Sequence, residues 1–354
     1  MSPTVHLHIG APKSGTSYLQ AALVQNQRAL ADDGVLFPGR LIDHIRAAEG
    51  VLGAPRLEKR WDQLAEKVRS FDGAAAVISM ELLCTATPRQ ARRAVAAFDG
   101  LDVRVVLTAR DLARVIPAQW QESTQFRHTW SFQDYLAGVT ARRPRQDPAG
   151  RSFWRQHDLD HILGTWSGAV GADHVTVVTL PQRTGEPDLL WRRFSAAVGI
   201  ESGRYELPAT ANESLGAASA ELMRRVNEAL AGTDLGPREY ARNCRQLLAK
   251  TVLAARSREE PRLALPGGLQ PWAAERSAQA VAAIRDRGVQ VVGDLDDLRS
   301  PEVSPTRDGG PPGIDRPDVD PAQLPPEALL DAAVDAIAGL VTLRVDQERR
   351  RRSR

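Results

Sequence analysis

The chain has only two cysteines, Cys84 and Cys244, in 354 residues. Two thiols cannot build a disulfide framework or a cysteine-rich zinc cluster, and they suit a reducing compartment. Lysine is scarce as well, occurring only at Lys13, Lys59, Lys67 and Lys250, so arginine carries nearly all the positive charge. Its 46 basic and 44 acidic residues leave a net charge of +2. That charge gives no global attraction to nucleic acid, and no nucleic-acid partner is expected. No run approaches the ~20 apolar residues of a membrane span. The few residues ahead of the first strand are too short for a signal peptide, so the expected location is the cytoplasm. With 42% hydrophobic and 25% charged residues, the composition is that of an ordinary soluble globular chain.

Against this background the segment Leu7-His-Ile-Gly-Ala-Pro-Lys-Ser-Gly-Thr-Ser-Tyr-Leu-Gln20 stands out. Residues 4–9 are β-branched and apolar enough for a short buried strand. Gly10 and Gly15 allow turns that a Cβ would obstruct. From Ser17 onward, Leu19, Ala22, Leu23 and Leu30 recur at helical spacing. A strand, a glycine-bounded loop and a helix start together make an anion site, because the first N–H groups of a helix lack internal partners and its dipole is positive there. Ser14, Thr16 and Ser17 add hydroxyls, and Lys13 adds a mobile point charge.

The order of residues in the loop excludes the ATP-binding form G-x-x-x-x-G-K-[ST]. Here the lysine precedes the second glycine, in Gly10-Ala-Pro-Lys13-Ser-Gly15-Thr16-Ser17. Pro-Lys-Ser-Gly-Thr-Ser followed by Tyr18 closely resembles the 5′-phosphosulfate loop of sulfotransferases that use 3′-phosphoadenosine-5′-phosphosulfate (PAPS). The form His-Ile-Gly-x-x-Lys-x-Gly-Thr-x-x-Leu-Gln is similar to the bacterial branch related to carbohydrate sulfotransferases. The resemblance implies a P-loop-like α/β fold, a doubly wound parallel sheet flanked by helices, with PAPS as co-substrate and no metal. It implies that Lys13, Ser14, Gly15, Thr16, Ser17 and Tyr18 bind the nucleotide.

A second strand, residues 103–108, runs into Ala109-Arg110-Asp111. In the family, an arginine at the end of such a strand and a serine eight positions later grip the 3′-phosphate. Arg110 matches the arginine, whose planar fork suits phosphate oxygens. The serine is replaced by Ala118, and Pro117 beside it can re-aim Gln119 or Ser123. Sulfuryl transfer to a hydroxyl also needs a proton acceptor. A third apolar strand, residues 74–79, is followed by Met80-Glu81, and Ile78-Ser-Met-Glu81 is similar to the glycan sulfotransferases that use a glutamate there. Glu81 is the first candidate base, and His8, on the first strand, is its rival. The implied mechanism is in-line attack on sulfur, with Lys13 and loop N–H groups stabilising the departing oxygen and Thr16 and Ser17 holding the 5′-phosphate.

The remaining organisation follows from pattern. Strands are expected at residues 35–37 and 173–180, and helices at 58–70, 88–98, 112–122, 155–168 and from Asn212-Glu213-Ser214 to about Ala231. The strand end Thr179-Leu-Pro-Gln182 departs from the acidic or tyrosine residue that the family has there. Residues 126–157 mix Trp130 and Trp154 with several arginines, a composition that suits either a sugar site or packing under a loop. Residues 1–298 form the expected α/β domain, 299–326 a Pro/Gly/Asp-rich linker, and 327–354 an amphipathic helix with a basic tail. That helix is expected to dock on the main domain or on a second copy, giving a possible homodimer. The expected partner is a hydroxyl-bearing small molecule or glycan. Two alternatives remain open: a P-loop kinase using ATP, and a non-catalytic nucleotide- or glycan-binding protein.

Overall fold

The computed structural model describes residues 3–182, 186–208, 214–300 and 319–352. Its centre is a parallel six-stranded sheet in the order β2-β3-β1-β4-β5-β6. The strands are β1 (Thr4–His8), β2 (Val35–Leu36), β3 (Ala75–Ser79), β4 (Val103–Ala109), β5 (Val175–Thr179) and β6 (Gln290–Val292). β1 lies between β3 and β4, with Leu7 opposite Ile78 on one side and Val105 on the other. β3 and β5 are buried along their whole length, as expected of parallel strands covered on both faces.

Alternation along the strands feeds two cores. Val5, Leu7, Ile78, Val105 and Leu107 pack on one face with Trp61 and Trp166. Val77, Val106 and Val178 point to the other face, against Leu19, Leu23, Phe37, Trp191 and Phe194. The sheet is therefore doubly wound, and the expected α/β class holds. All five of the expected strands and the helices at Arg60–Arg69, Pro88–Ala96 and Leu112–Thr124 are present. The expected helix at 155–168 is two helices, Pro148–His157 and Leu159–Val170, divided at Asp158, whose side chain caps the second. β6 and the helix before it, Gln270–Asp286, were not expected. A three-residue edge strand with one polar member leaves almost no periodic signal.

Two compact units, neither continuous in sequence, can be separated. The first comprises Met1–Val115, Trp154–Asn212 and Pro271–Pro301, and carries the sheet. The second comprises Ile116–Phe153, Glu213–Gln270 and Glu302–Arg354, and its described residues are mainly helical. Its helix Ala217–Leu230 begins later than expected, and Asn212 and Glu213 lie outside the described residues. Most of the stretch read as a linker, residues 301–318, lies outside them too. The C-terminal helix is present as Pro326–Arg352. Among the described residues no helix is long and apolar enough to cross a membrane.

The second unit is held by a buried carboxylate. Glu260, 3% exposed, accepts hydrogen bonds from the Ser219 N–H (2.8 Å), the Ser219 hydroxyl (2.6 Å) and Arg256 Nε (2.8 Å). Arg256 also pairs with Asp335 on the C-terminal helix. A Cβ on Gly216 would lie 2.2 Å from Glu260 Cβ, so a glycine is needed there for the approach. Removing one member of a buried ion pair strands the other, at roughly 3–5 kcal/mol. Glu260→Ala should therefore lower the urea midpoint strongly, while Glu66→Ala, in an exposed pair with Arg69, should change stability by less than about 0.5 kcal/mol.

Candidate functional site

β1 ends at His8, and the chain then continues to pair with β4 through Ile9 N–H to Val106 O (2.9 Å) and Ala11 N–H to Thr108 O (2.7 Å). The loop proper turns through three left-handed residues: Gly10 (φ 73°), Lys13 (φ 62°) and Gly15 (φ 88°). Left-handed residues between ordinary ones curl the backbone so that successive N–H groups converge, the arrangement that cradles anions. Lys13 takes this conformation despite its Cβ, a cost of about 1–2 kcal/mol that its surroundings must offset. The helix Thr16–Gln25 starts directly after Gly15, which has no side chain with which to cap the first turn. Ser17 is exposed there, Tyr18 half-buried and Thr16 buried, with its methyl toward Gly10. Partial burial and, second, Asp188 raise the Tyr18 pKa.

Ser14 faces inward. Its hydroxyl donates to Ala11 O (2.5 Å) and meets Thr108 Oγ1 at 2.6 Å. What Ser14 can offer an anion is thus its backbone N–H. Thr108 Oγ1 also meets His8 Nε2 at 3.2 Å, and His8 Nδ1 meets Ser79 Oγ at 2.8 Å. His8 is fully buried against the edge of Phe194, and burial pushes its pKa down to about 3. Both of its ring nitrogens are engaged within the sheet.

Glu81 opens the 3₁₀ turn that follows β3. Gly10 makes its approach possible, since a Cβ on Gly10 would lie 2.5 Å from Glu81 Cβ. Glu81 Oε2 accepts a hydrogen bond from Gln20 Nε2 (2.9 Å), from the helix that the loop starts. Cys84, one turn on, is buried, and burial followed by the charge of Glu81 raises its thiol pKa.

Arg110 follows β4 and its Nη1 donates to the Lys13 carbonyl (3.3 Å). Its buried Nε has no hydrogen-bond partner among the described residues. Burial and, second, the nearby Arg114 lower its pKa to about 10. Arg114 is held by the buried Asp111 and by the carbonyls of Pro181 (3.5 Å) and Gln182 (3.4 Å). Lys13, Glu81, His8 and Arg110 thus gather at the carboxyl ends of β1, β3 and β4, where open α/β sheets bind ligands.

Other candidates behave differently. Ser123, in the second unit, gives its hydroxyl to Trp120 O (2.6 Å), and Gln119 is buried. In the same unit Trp130 stacks on His128 at 4.1 Å, while Trp154, in the first unit, meets Trp272 edge-on at 6.3 Å. At the end of β5, Gln182 is bonded to the turn Leu295–Leu298 through the carbonyls of Asp296 and Asp297 (both 3.1 Å). Sequence reasoning missed Gln20, Ser79, Thr108 and His157. Gln20 closes the motif, and Thr108 interrupts the apolar run that follows Arg104 in its strand, so both left a trace. His157 left none, yet burial and, second, the charge of Lys13 depress its pKa to about 3. Among the described residues no group of His, Cys, Asp and Glu is gathered as for a metal ion.

No family model matches the chain, and no curated protein does. Among solved structures, a sulfotransferase from Alicyclobacillus acidocaldarius is similar at 17% identity, over 80% of this chain and 96% of that one, with a TM-score of 0.42.

The buried histidines make stability pH-dependent. His6 and His44 have pKa values lowered to about 4, and His8 and His157 to about 3, chiefly by burial. Each takes up a proton near pH 6.5 when unfolded and only at much lower pH when folded. The unfolded state therefore binds more protons below pH 6.5, and stability falls with pH by about 1.4 kcal/mol per unit per histidine. Urea unfolding at pH 7.5, 6 and 5 should show stability constant above the window and falling within it. A flat profile would mean that these rings are solvated.

Proposed function

We propose that this chain is a sulfotransferase that moves the sulfuryl group of PAPS to a hydroxyl of a carbohydrate, lipid or small-molecule acceptor. The observation that carries the reading is the approach of Glu81 to a lysine-bearing left-handed loop, permitted by Gly10. That proximity supports a reaction in which the carboxylate and the loop act on one group. The loop order supports sulfuryl rather than ATP-dependent phosphoryl transfer, because no lysine directly precedes the Ser or Thr that would hold Mg²⁺.

Each residue then has a task. The N–H groups after Gly15, with Thr16 and Ser17, hold the 5′-phosphate at the positive end of the helix. Arg110, tied to the Lys13 carbonyl and carrying a buried Nε without a partner among the described residues, takes the 3′-phosphate. Gln20 holds the Glu81 carboxylate, which accepts the proton of the acceptor hydroxyl as its oxygen bonds to sulfur. The bond from sulfur to the bridging oxygen breaks, and Lys13 balances the charge left on that oxygen. His8, wholly buried with both nitrogens engaged, supports the loop from below, and the proton goes to Glu81. Tyr18 lies beside the nucleotide.

Two measurements test this. Adenosine 3′,5′-bisphosphate, the desulfated product, should stabilise the chain by about 2.7 kcal/mol at a hundredfold excess over Kd. A larger thermal shift with Mg²⁺-ATP would point to a kinase. With PAPS and a turned-over acceptor, Lys13→Ala should lower turnover by about 10²–10³-fold. Glu81→Gln should lower it by about 10²–10⁴-fold while nucleotide binding is retained. Full turnover in Glu81→Gln would remove the carboxylate from the chemistry.

A further inference from the structure

The C-terminal helix Pro326–Arg352 is apolar on two opposite sides. One side is turned into its own unit: Ala332 and Ala336 are buried, Leu329, Leu340 and Leu343 half-buried, and Gly339 is close against Val252. The other side carries Leu330, Val334, Ile337, Val341 and Val345, which are 63%, 55%, 64%, 57% and 40% exposed. Their spacing of three or four residues makes one continuous stripe. These five make up most of the exposed large hydrophobic side chains among the described residues. A helix apolar on both sides is made to be covered on both sides.

Charge identifies what covers it. The first half of the helix carries Glu327, Asp331 and Asp335 and no cation, while the far half carries Arg344 and the run Arg349 to Arg352 against Asp346 and Glu348, and so is net positive. An anionic membrane would meet the acids beside the stripe as well as the arginines. A second copy of this chain lying antiparallel meets opposite net charge at both ends. Glu327 and Arg349 are roughly six turns apart and so lie on one flank of the stripe. In a two-fold antiparallel pair that flank faces its own equivalent, and Glu327 of each copy reaches Arg349 of the other. The same pairing sets Leu330 against Val345 and Val334 against Val341, with Ile337 near the axis, and it opposes the two helix dipoles. A parallel pair would set acids beside acids.

We infer that the chain forms a homodimer through the exposed stripe of its C-terminal helix, paired antiparallel with the same helix of a second copy. The contact is isologous and closes on itself, so it gives a dimer and not a filament. It is independent of the proposed reaction.

Light scattering of the full chain over a range of concentrations tests this. A mass near twice 38.6 kDa is expected, and a chain that stays monomeric overturns the inference. Ile337→Asp should give a monomer, its side chain being exposed in the single chain, and a dimer that survives it overturns the stripe as the interface. Glu327→Arg alone should raise the dimer Kd, and adding Arg349→Glu should restore it. These exposed changes keep the test open if Ile337→Asp fails to fold, as judged by circular dichroism, and failed restoration overturns the antiparallel arrangement. A monomer that sediments with phosphatidylserine vesicles would overturn the inference and assign the stripe to a membrane surface.

Discussion

A chain of buried hydrogen bonds under the loop sets the geometry of the site. It runs from the Ala11 carbonyl through Ser14 and Thr108 to His8 and Ser79, linking the loop to β1, β3 and β4. Each member is buried, so water cannot substitute for a lost partner, and a break would leave an unsatisfied group at a cost of about 1–3 kcal/mol. That penalty opposes movement of Ala11 and Ser14, which flank the left-handed Lys13. The depressed pKa of His8 belongs to the same arrangement, because the ring stays neutral and can serve as both donor and acceptor.

The second constraint is steric. Gly10 is glycine for its φ and also because Glu81 occupies the space a side chain would fill. The loop and the carboxylate, 71 residues apart by sequence number, are thereby brought together at one backbone approach. Gln20 then ties Glu81 to the helix that the loop begins. These contacts fix the loop, Glu81 and the first helix relative to one another.

Much of this was legible in the sequence. The strand-loop-helix at residues 4–20, the apolar strands β3, β4 and β5, and the placement of Glu81 and Arg110 at strand ends follow from periodicity, glycines and charge at element boundaries. The inward turn of Ser14 was not legible, because a hydroxyl in a loop reads equally as a ligand group or a latch. His157 was silent for another reason: its proximity to Lys13 depends on how a helix packs, which no local pattern encodes. β6 was too short and too polar to read as a strand, and the second apolar side of the C-terminal helix appears only once the first is seen to be covered.

The late arrival of β6 bears on how the chain folds. β5 is complete by Thr179, yet its outer neighbour is Gln290–Val292. During synthesis the sheet must wait for more than a hundred further residues, many of which belong to the other unit. Throughout that interval β5, fully β-branched, offers an open edge of the kind that recruits foreign strands. Pairings this distant also slow folding, because loop closure is opposed by entropy before contacts reward it. The chain is therefore most exposed to aggregation while it is still being made, and the small strand β6 ends that exposure.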